Sequence, residues 1–316
     1  MSKISEAVDR HAERFLALPG VSAISVGKKS VGGVRTDKDA IVLHVDRKQD
    51  QGDPTRTIPA DLDGHPTDVV EEVIRIKRLS TDPFERHDPM ISGISVTSYL
   101  TPGQYGSIGC FIVADGSVKE VPKGLYLLTC HHVIAASTKT PGKGMVIQPG
   151  KLKSRIPEQD DIVGDYVHGL MDADHDCAVV SIDDVRTFVN EVPAAPHIPG
   201  RKELGKVRTA AVMNEVSKFG AATHYTQGSV LNTDMQVDME DGTRLTGVIK
   251  VAGKGFKPWV NHGDSGSVIV LDDYSPVGMI FASDPSSGND QTGYVTGYAY
   301  DLTKQIQVFS NAVTLA

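Results

Sequence analysis

The chain has 316 residues, of which 40% are hydrophobic and 23% charged, and it carries a formal net charge of −8. This is enough chain for two or three domain cores, but the acidic balance argues against a nucleic-acid-binding surface. No apolar run reaches the roughly 18 residues that a membrane-spanning helix needs, so neither nucleic acid nor membrane is expected as a partner.

The N-terminal stretch MSKISEAVDRHAERFLALPG is charged and amphipathic and lacks the apolar centre of a secretory signal; a cytoplasmic location is expected. Its apolar residues Ile4, Ala7, Val8, Ala12, Phe15 and Leu16 recur at helical spacing over 3–17. Pro19-Gly20 then ends the helix. VSAISVG (21–27) and AIVLHVDRK (40–48) read as strands joined by a turn-rich connection, and the β-branched segment 65–79 suggests a strand with a charged tail. Together these predict a small α+β domain over 1–80. The polar stretch that follows contains Pro83 and Pro89 and is expected to be a linker over 81–90.

From residue 91 to the end, short apolar runs alternate with turns: SIGCFIVADG, GLYLLTCHHVI, GMVIQPG, DIVGDYVHG, DCAVVSID, KVRTAAVM, VSKFG, TGVIKVAG, GSVIVLDD and SPVGMIFAS. Many short strands at even spacing predict a sandwich or barrel, closed by a helix over 299–313. The three cysteines, Cys110, Cys130 and Cys177, are odd in number and lack metal-ligand spacing. They are read as small buried thiols in a reducing compartment, with no metal and no cofactor expected.

One motif carries chemistry. In NHGDSGSVIV (261–270) a serine stands between glycines directly before an apolar strand. Gly, Asp and Ser form ordinary turns, but the same pattern presents a nucleophile on a sharp corner. A nucleophilic serine needs a base, and the base needs an acid to orient it. Upstream, the buried run Leu125–Thr129 leads into His131 and His132, and Asp176 precedes the apolar run Ala178–Ile182. Each alone is as readily a surface histidine or a turn aspartate. Their order, His, Asp, Ser, is what connects them.

LLTCHHVI, DCAVV and GDSGSVIV followed by PVGMI together resemble the trypsin-like serine peptidases over about residues 91–310. The resemblance implies a mainly β fold of two six-stranded antiparallel barrels, about 91–200 and 201–310, in a peptidase domain over 91–316. Its register selects His132 as base, Asp176 as acid and Ser265 as nucleophile, 44 and 89 residues apart. The backbone N–H groups of Gly263 and Ser265 are then the oxyanion hole. Residues Trp259, Phe281, Ala282 and Ser283 are the expected substrate-binding wall, and the absence of an acid at 259 disfavours a Lys or Arg preference. GVSAISVGKKSVGG, AIVLHVDRK and LDGHPTDVVE resemble the leading domain of NARROW LEAF 1-like proteins, which are bacterial and plant intracellular members. The implied function is a serine endopeptidase acting on protein or peptide through an acyl-enzyme. A catalytically silent peptide-binding scaffold and an esterase with the same triad are the alternatives, and homo-oligomerisation is left open. Departures from the family pattern are Ser267 after GDSG, and Cys130 and His131 before the base. In secreted relatives the aspartate of GDSG pairs with a newly cleaved N-terminus. Ile91 lies where such a terminus is placed, yet an uncut active chain is expected. Asp264 would then be satisfied by hydroxyls, backbone N–H groups or a side chain such as His262.

Overall fold

The computed structural model describes residues 2–18, 21–45, 58–71, 81–101, 104–135, 144–151, 158–196, 198, 200–238 and 244–316. The chain divides into two compact units, Met1–Arg78 and Leu79–Ala316.

In the first unit, helix α1 (Lys3–Leu16) starts at Ser2, whose hydroxyl accepts the Ser5 N–H at 3.3 Å. Strands β1 (Val21–Val31) and β2 (Val34–Val45) form an antiparallel hairpin around Gly32-Gly33. β3 (Asp61–Leu62) and β4 (His65–Glu71) complete a sheet of order β1-β2-β4-β3, in which β2 and β4 run parallel. Ile4, Ala7 and Phe15 of the helix bury with Ile41, Leu43 and Leu62 of the sheet. The expected strands extend as far as Val45 and Glu71; positions 46–48 and 72–79 of those expectations lie outside the described residues.

The second unit is almost entirely β. Strands β5 (Ser95–Ser98), β6 (Gly106–Ser107), β7 (Cys110–Ala114), β8 (Gly124–Thr129), β9 (Met145–Ile147), β10 (Ile162–Met171) and β11 (Asp176–Ser181) make a seven-stranded sheet of order β6-β5-β9-β10-β11-β8-β7. Its two edge strands are separated by Ile108-Gly109 alone, and those residues donate to Ile94 O and Leu128 O at 2.8 and 2.9 Å. The two edge strands are thus nearly continuous along the chain. In place of the expected first six-stranded barrel stands this seven-stranded half-barrel sheet. The one-turn helix α2 (His131–Ile134) follows β8 directly.

A two-stranded ribbon of β12 (Glu191–Pro193) and β13 (Arg201–Glu203) leads to the second half. There β14 (Glu215–Gly220), β15 (His224–Asp238), β16 (Arg244–Gly253), β17 (Val268–Val270), β18 (Pro276–Ser283) and β21 (Thr296–Asp301) close a six-stranded barrel of order β14-β15-β16-β21-β18-β17. The small ribbon β19 (Gly288–Asn289) and β20 (Gly293–Tyr294) interrupts it. The architecture is mainly β, a double barrel.

Three further expectations change. KVRTAAVM (206–213) forms no strand, because its backbone bonds are isolated ones, such as Arg208 N–H to Pro276 O and Met213 N–H to Val230 O. The terminal helix is shorter than 299–313: residues to Asp301 belong to β21, and the Asp301 carboxylate caps α3 (Leu302–Gln307) by accepting the Lys304 N–H. The stretch 81–90 is not a free linker either. Arg186 is 4% exposed and donates to the carbonyls of Asp160 and His87 at 3.0 Å and to Gln148 Oε1 at 2.9 Å. Gln148 in turn donates to Glu85 O at 2.7 Å, and Met90, fully buried, donates to Thr187 O at 2.8 Å. Prolines and charges gave this segment a linker's composition, but its backbone groups are held by a buried guanidinium and amide.

Replacing Arg186 by Met is expected to cost about 1–3 kcal/mol, because several carbonyls lose a charged donor in a buried place. Urea unfolding of wild type and Arg186→Met would show a lower midpoint at an unchanged slope.

Candidate active site

β8 ends at Thr129, which is fully buried, and Cys130 then caps α2, which carries the more exposed His132. Asp176 opens β11, the strand paired with β8 through Ala178 opposite Thr129. This adjacency brings residues 44 positions apart together. His132 Nδ1 meets Asp176 Oδ2 at 2.5 Å, and the His132 N–H donates to Asp176 Oδ1 at 3.1 Å. The aspartate side chain is 6% exposed and the imidazole 37%. Burial pulls the His132 pKa down, but the hydrogen bond to Asp176 and its charge outweigh this, so the pKa is raised above the usual histidine value.

His131 is the neighbour that does not join the pair. It is buried against the edge of Tyr166, its Nδ1 has no partner among the described residues, and burial lowers its pKa. The three cysteines are free and buried. Burial pushes the Cys110 thiol up to about 12, and it also raises those of Cys130 and Cys177 well above the usual thiol value.

Ser265 comes from the loop that enters β17. Gly266 has φ +94°, and a Cβ there would stand 2.2 Å from Ser107 O and 2.3 Å from Thr129 Oγ1. Gly263 has φ +103°, and a Cβ there would stand 2.4 Å from the Tyr105 ring. Both flanking glycines are thus required by backbone angle and by contact. Ser107 ties the loop to the first half: its hydroxyl donates to Gly263 O at 2.9 Å and its N–H to Ser265 O at 2.8 Å. The buried Ser267 hydroxyl donates to Asp264 O at 2.6 Å, so the departure from glycine there is accommodated. Among the described residues the N–H groups of Gly263 and Ser265 meet no protein acceptor, whereas those of Asp264 and Gly266 are taken by Asn261 O and Ile280 O. The Ser265 hydroxyl points to Phe281 O at 3.4 Å rather than to His132.

Asp264 is fully buried and accepts five hydrogen bonds. Oδ1 receives the N–H groups of Ala222 and Thr223, each at 3.0 Å. Oδ2 receives the Thr223 hydroxyl at 2.7 Å, the Asn261 N–H at 2.9 Å and Lys218 Nζ at 3.1 Å. Hydroxyl and backbone donors were foreseen for this carboxylate; the lysine was not. Lys218 lies on β14 with its side chain fully buried. Burial lowers its pKa, against the charge and hydrogen bond of Asp264. His262, also named beforehand, pairs instead with Asp290 at 3.1 Å on the surface. Ile91 is fully buried, and its neighbours Met90 and Ser92 are hydrogen-bonded to Thr187 O and Glu191 O.

A cavity of about 670 Å³ collects His132, Asp176 and Ser265 with Phe281, Ala282 and Ser283 of β18. Trp259 is not on its wall. The indole is fully buried in the second barrel's core, beneath Lys218 Nζ at 5.5 Å, so the expectation of a substrate-binding role there is corrected. Val260, Tyr294 and Leu245 line the cavity and were not foreseen. Val260 adjoins the motif, but Tyr294 and Leu245 reach the site only through barrel closure.

No protein-family model and no curated protein matches this sequence. Among solved structures, a glutamic acid-specific serine protease that uses a histidine triad in substrate binding is 17% identical with a TM-score of 0.53, over 72% of this chain and 100% of that one. Nocardiopsis protease is 16% identical with a TM-score of 0.50, over 69% and 95% of the two chains. Protease A of Thermobifida fusca is 17% identical with a TM-score of 0.50, again over 69% and 95%. The fold is that of the trypsin- and chymotrypsin-like serine proteases. No helix among the described residues is long and apolar enough to cross a membrane.

Lys218→Met would leave the Asp264 carboxylate buried without its cation, at a cost of about 3–5 kcal/mol. Thermal unfolding should register that loss, whereas Lys218→Arg should recover part of it.

Proposed function

We propose that this protein is a serine endopeptidase that cleaves peptide bonds through an acyl-enzyme. The observation that carries the reading is the hydrogen-bonded pair of His132 and Asp176 in one cavity with Ser265. After rotation of its hydroxyl toward the imidazole, Ser265 loses its proton to His132 Nε2 as Oγ attacks the substrate carbonyl. Asp176 holds Nδ1–H and stabilises the imidazolium. The unengaged N–H groups of Gly263 and Ser265 receive the developing oxyanion. His132 then returns the proton to the leaving amine, and water repeats the sequence on the acyl-enzyme. This chemistry needs no metal or cofactor from the chain.

Protein or peptide is the substrate class, and Val260, Ala282 and Tyr294 favour an apolar side chain in the cavity. Every residue with a role here belongs to the second unit. Residues 1–80 are proposed as a separate domain that resembles the leading domain of NARROW LEAF 1-like proteins and lends no catalytic group. The intact chain is proposed to act without cleavage before Ile91, and the protein to reside in the cytoplasm.

A fluorophosphonate probe should add to the wild type once and not to Ser265→Ala, as read by intact mass; equal labelling of both refutes the nucleophile. The labelled wild type should also retain the residues that precede Ile91.

The base must be neutral to accept a proton. Because the His132 pKa is raised, activity should fall as the pH drops through a midpoint above the ordinary histidine value of about 6.5. In Asp176→Asn that limb should shift to lower pH, with kcat reduced on the order of 10⁴-fold. A pH profile of a chromogenic peptide substrate measures both.

A chain starting at Leu79, which keeps the Glu85 and His87 contacts, should retain turnover on that substrate. A folded but inactive product would give the first domain a catalytic role.

A further inference from the structure

Both carboxylate oxygens of Asp176 are engaged by His132, so the aim of the carboxylate depends on how the backbone at 176 is held. That backbone is the first residue of a strand and follows the turn Asp172–His175. The turn is braced internally by Asp172 Oδ1, which accepts the N–H groups of Asp174 and His175 at 2.9 and 3.0 Å. From the second barrel, Thr246 donates its N–H to Ala173 O at 2.8 Å and its hydroxyl to Asp174 Oδ1. None of these groups touches residue 176.

Asp176 itself stands opposite Met171 in the β10–β11 pairing, and its N–H is taken by Gln305 of α3, 129 positions away and fully buried. Its Oε1 accepts the Asp176 N–H at 3.1 Å, and its Nε2 donates to Asp174 O at 3.0 Å. The turn thus offers one donor and one acceptor, two residues apart. A carboxamide answers both from a single side-chain end, while Lys and Arg only donate and an ionised Glu only accepts. The same demand fixes which way the amide faces. A buried amide left unbonded would be costly, so the match is required of both sides.

We propose that Gln305 is a positioning residue for the His132–Asp176 pair, clamping the acid-bearing turn so that Asp176 meets His132 Nδ1. The inference rests on the serine-hydrolase reading for its effect on turnover, but not for its effect on the pair. Without the clamp the Asp174–Asp176 backbone relaxes and the short Nδ1 contact lengthens. Misplacement of a catalytic group on the scale of an ångström costs up to about a hundredfold in rate.

The test uses the full chain with Gln305→Met, which removes both bonds at similar length, and Gln305→Glu, which keeps the acceptor for Asp176 N–H but loses the donor to Asp174 O when ionised. Gln305→Met is expected to lower kcat about ten- to a hundredfold with KM unchanged, and Gln305→Glu to lose less. Proton NMR in a Ser265→Ala background, where no turnover is needed, should show the His132 titration moving to lower pH and its Nδ1 proton shifting upfield. The shift should be larger in Gln305→Met than in Gln305→Glu. A folded Gln305→Met with wild-type kcat, KM and His132 titration overturns the proposal. If that variant does not fold, wild-type values in Gln305→Glu overturn it instead. If the wild type itself shows no turnover, the hydrolase reading falls and the His132 titration alone decides on Gln305.

Discussion

The ion pair between Lys218 and Asp264, both with side chains fully sealed from solvent, governs the shape of the serine-bearing loop. A carboxylate in that position is severely unfavourable unless its charge and lone pairs are met. Because five donors converge on it, the residues that supply them are fixed in turn: Asn261 within the loop, and Lys218, Ala222 and Thr223 from β14 and the turn after it. The peptides on either side of Asp264 inherit that rigidity, and the N–H groups of Gly263 and Ser265 remain unengaged. A cation built into β14 is present as soon as the barrel closes. A cation supplied by a new chain terminus would need Ile91 released, and Ile91 is fully buried between hydrogen-bonded neighbours.

The site also depends on how the two halves of the second unit are joined. The pair His132 and Asp176 belongs to the first half, whereas Ser265 and the β18 part of the cavity wall belong to the second. Ser107 makes the joint: its hydroxyl and N–H hold the carbonyls of Gly263 and Ser265, and its own carbonyl accepts the Thr129 hydroxyl at 2.8 Å. Thr129 is three residues before His132, so one short relay of hydrogen bonds spaces the imidazole from the serine. Gln305 adds a second joint on the opposite side, from the helix that ends the barrel to the turn that carries the acid.

Legibility in the sequence follows the range of the interactions involved. His132, Asp176 and Ser265 stand beside apolar strands or glycine corners, and each such neighbourhood is a local pattern. Alternating apolar runs likewise foretold a mainly β second unit. Lys218 was invisible because VSKFG reads as a strand with an ordinary solvent-facing lysine; only closure of the barrel across a separation of 46 positions turns that residue inward to Asp264. Gln305 was hidden for the same reason across 129 positions. Trp259 misled in the other direction. Its place just before the motif suggested a cavity wall, but a side chain of that size is stable where it excludes most water, and the barrel core offered that space. The stretch 81–90 misled because composition does not reveal whether a buried arginine will collect its carbonyls.

At 3.4 Å, the bond from Ser265 Oγ to Phe281 O lies beyond the usual range of about 2.5–3.0 Å for hydroxyl hydrogen bonds. The hydroxyl is thus held only lightly in its present direction, while the backbone that carries it is held tightly by Ser107, Ile280 and Asp264. The imidazole is held in the opposite sense, with its far side locked to Asp176 at 2.5 Å and its near side open to the cavity. Rotation about the seryl Cα–Cβ bond is the rearrangement that the proposed reaction asks of Ser265. It leaves the ion pair beneath the loop and the clamp behind the aspartate undisturbed, because neither involves the hydroxyl that moves.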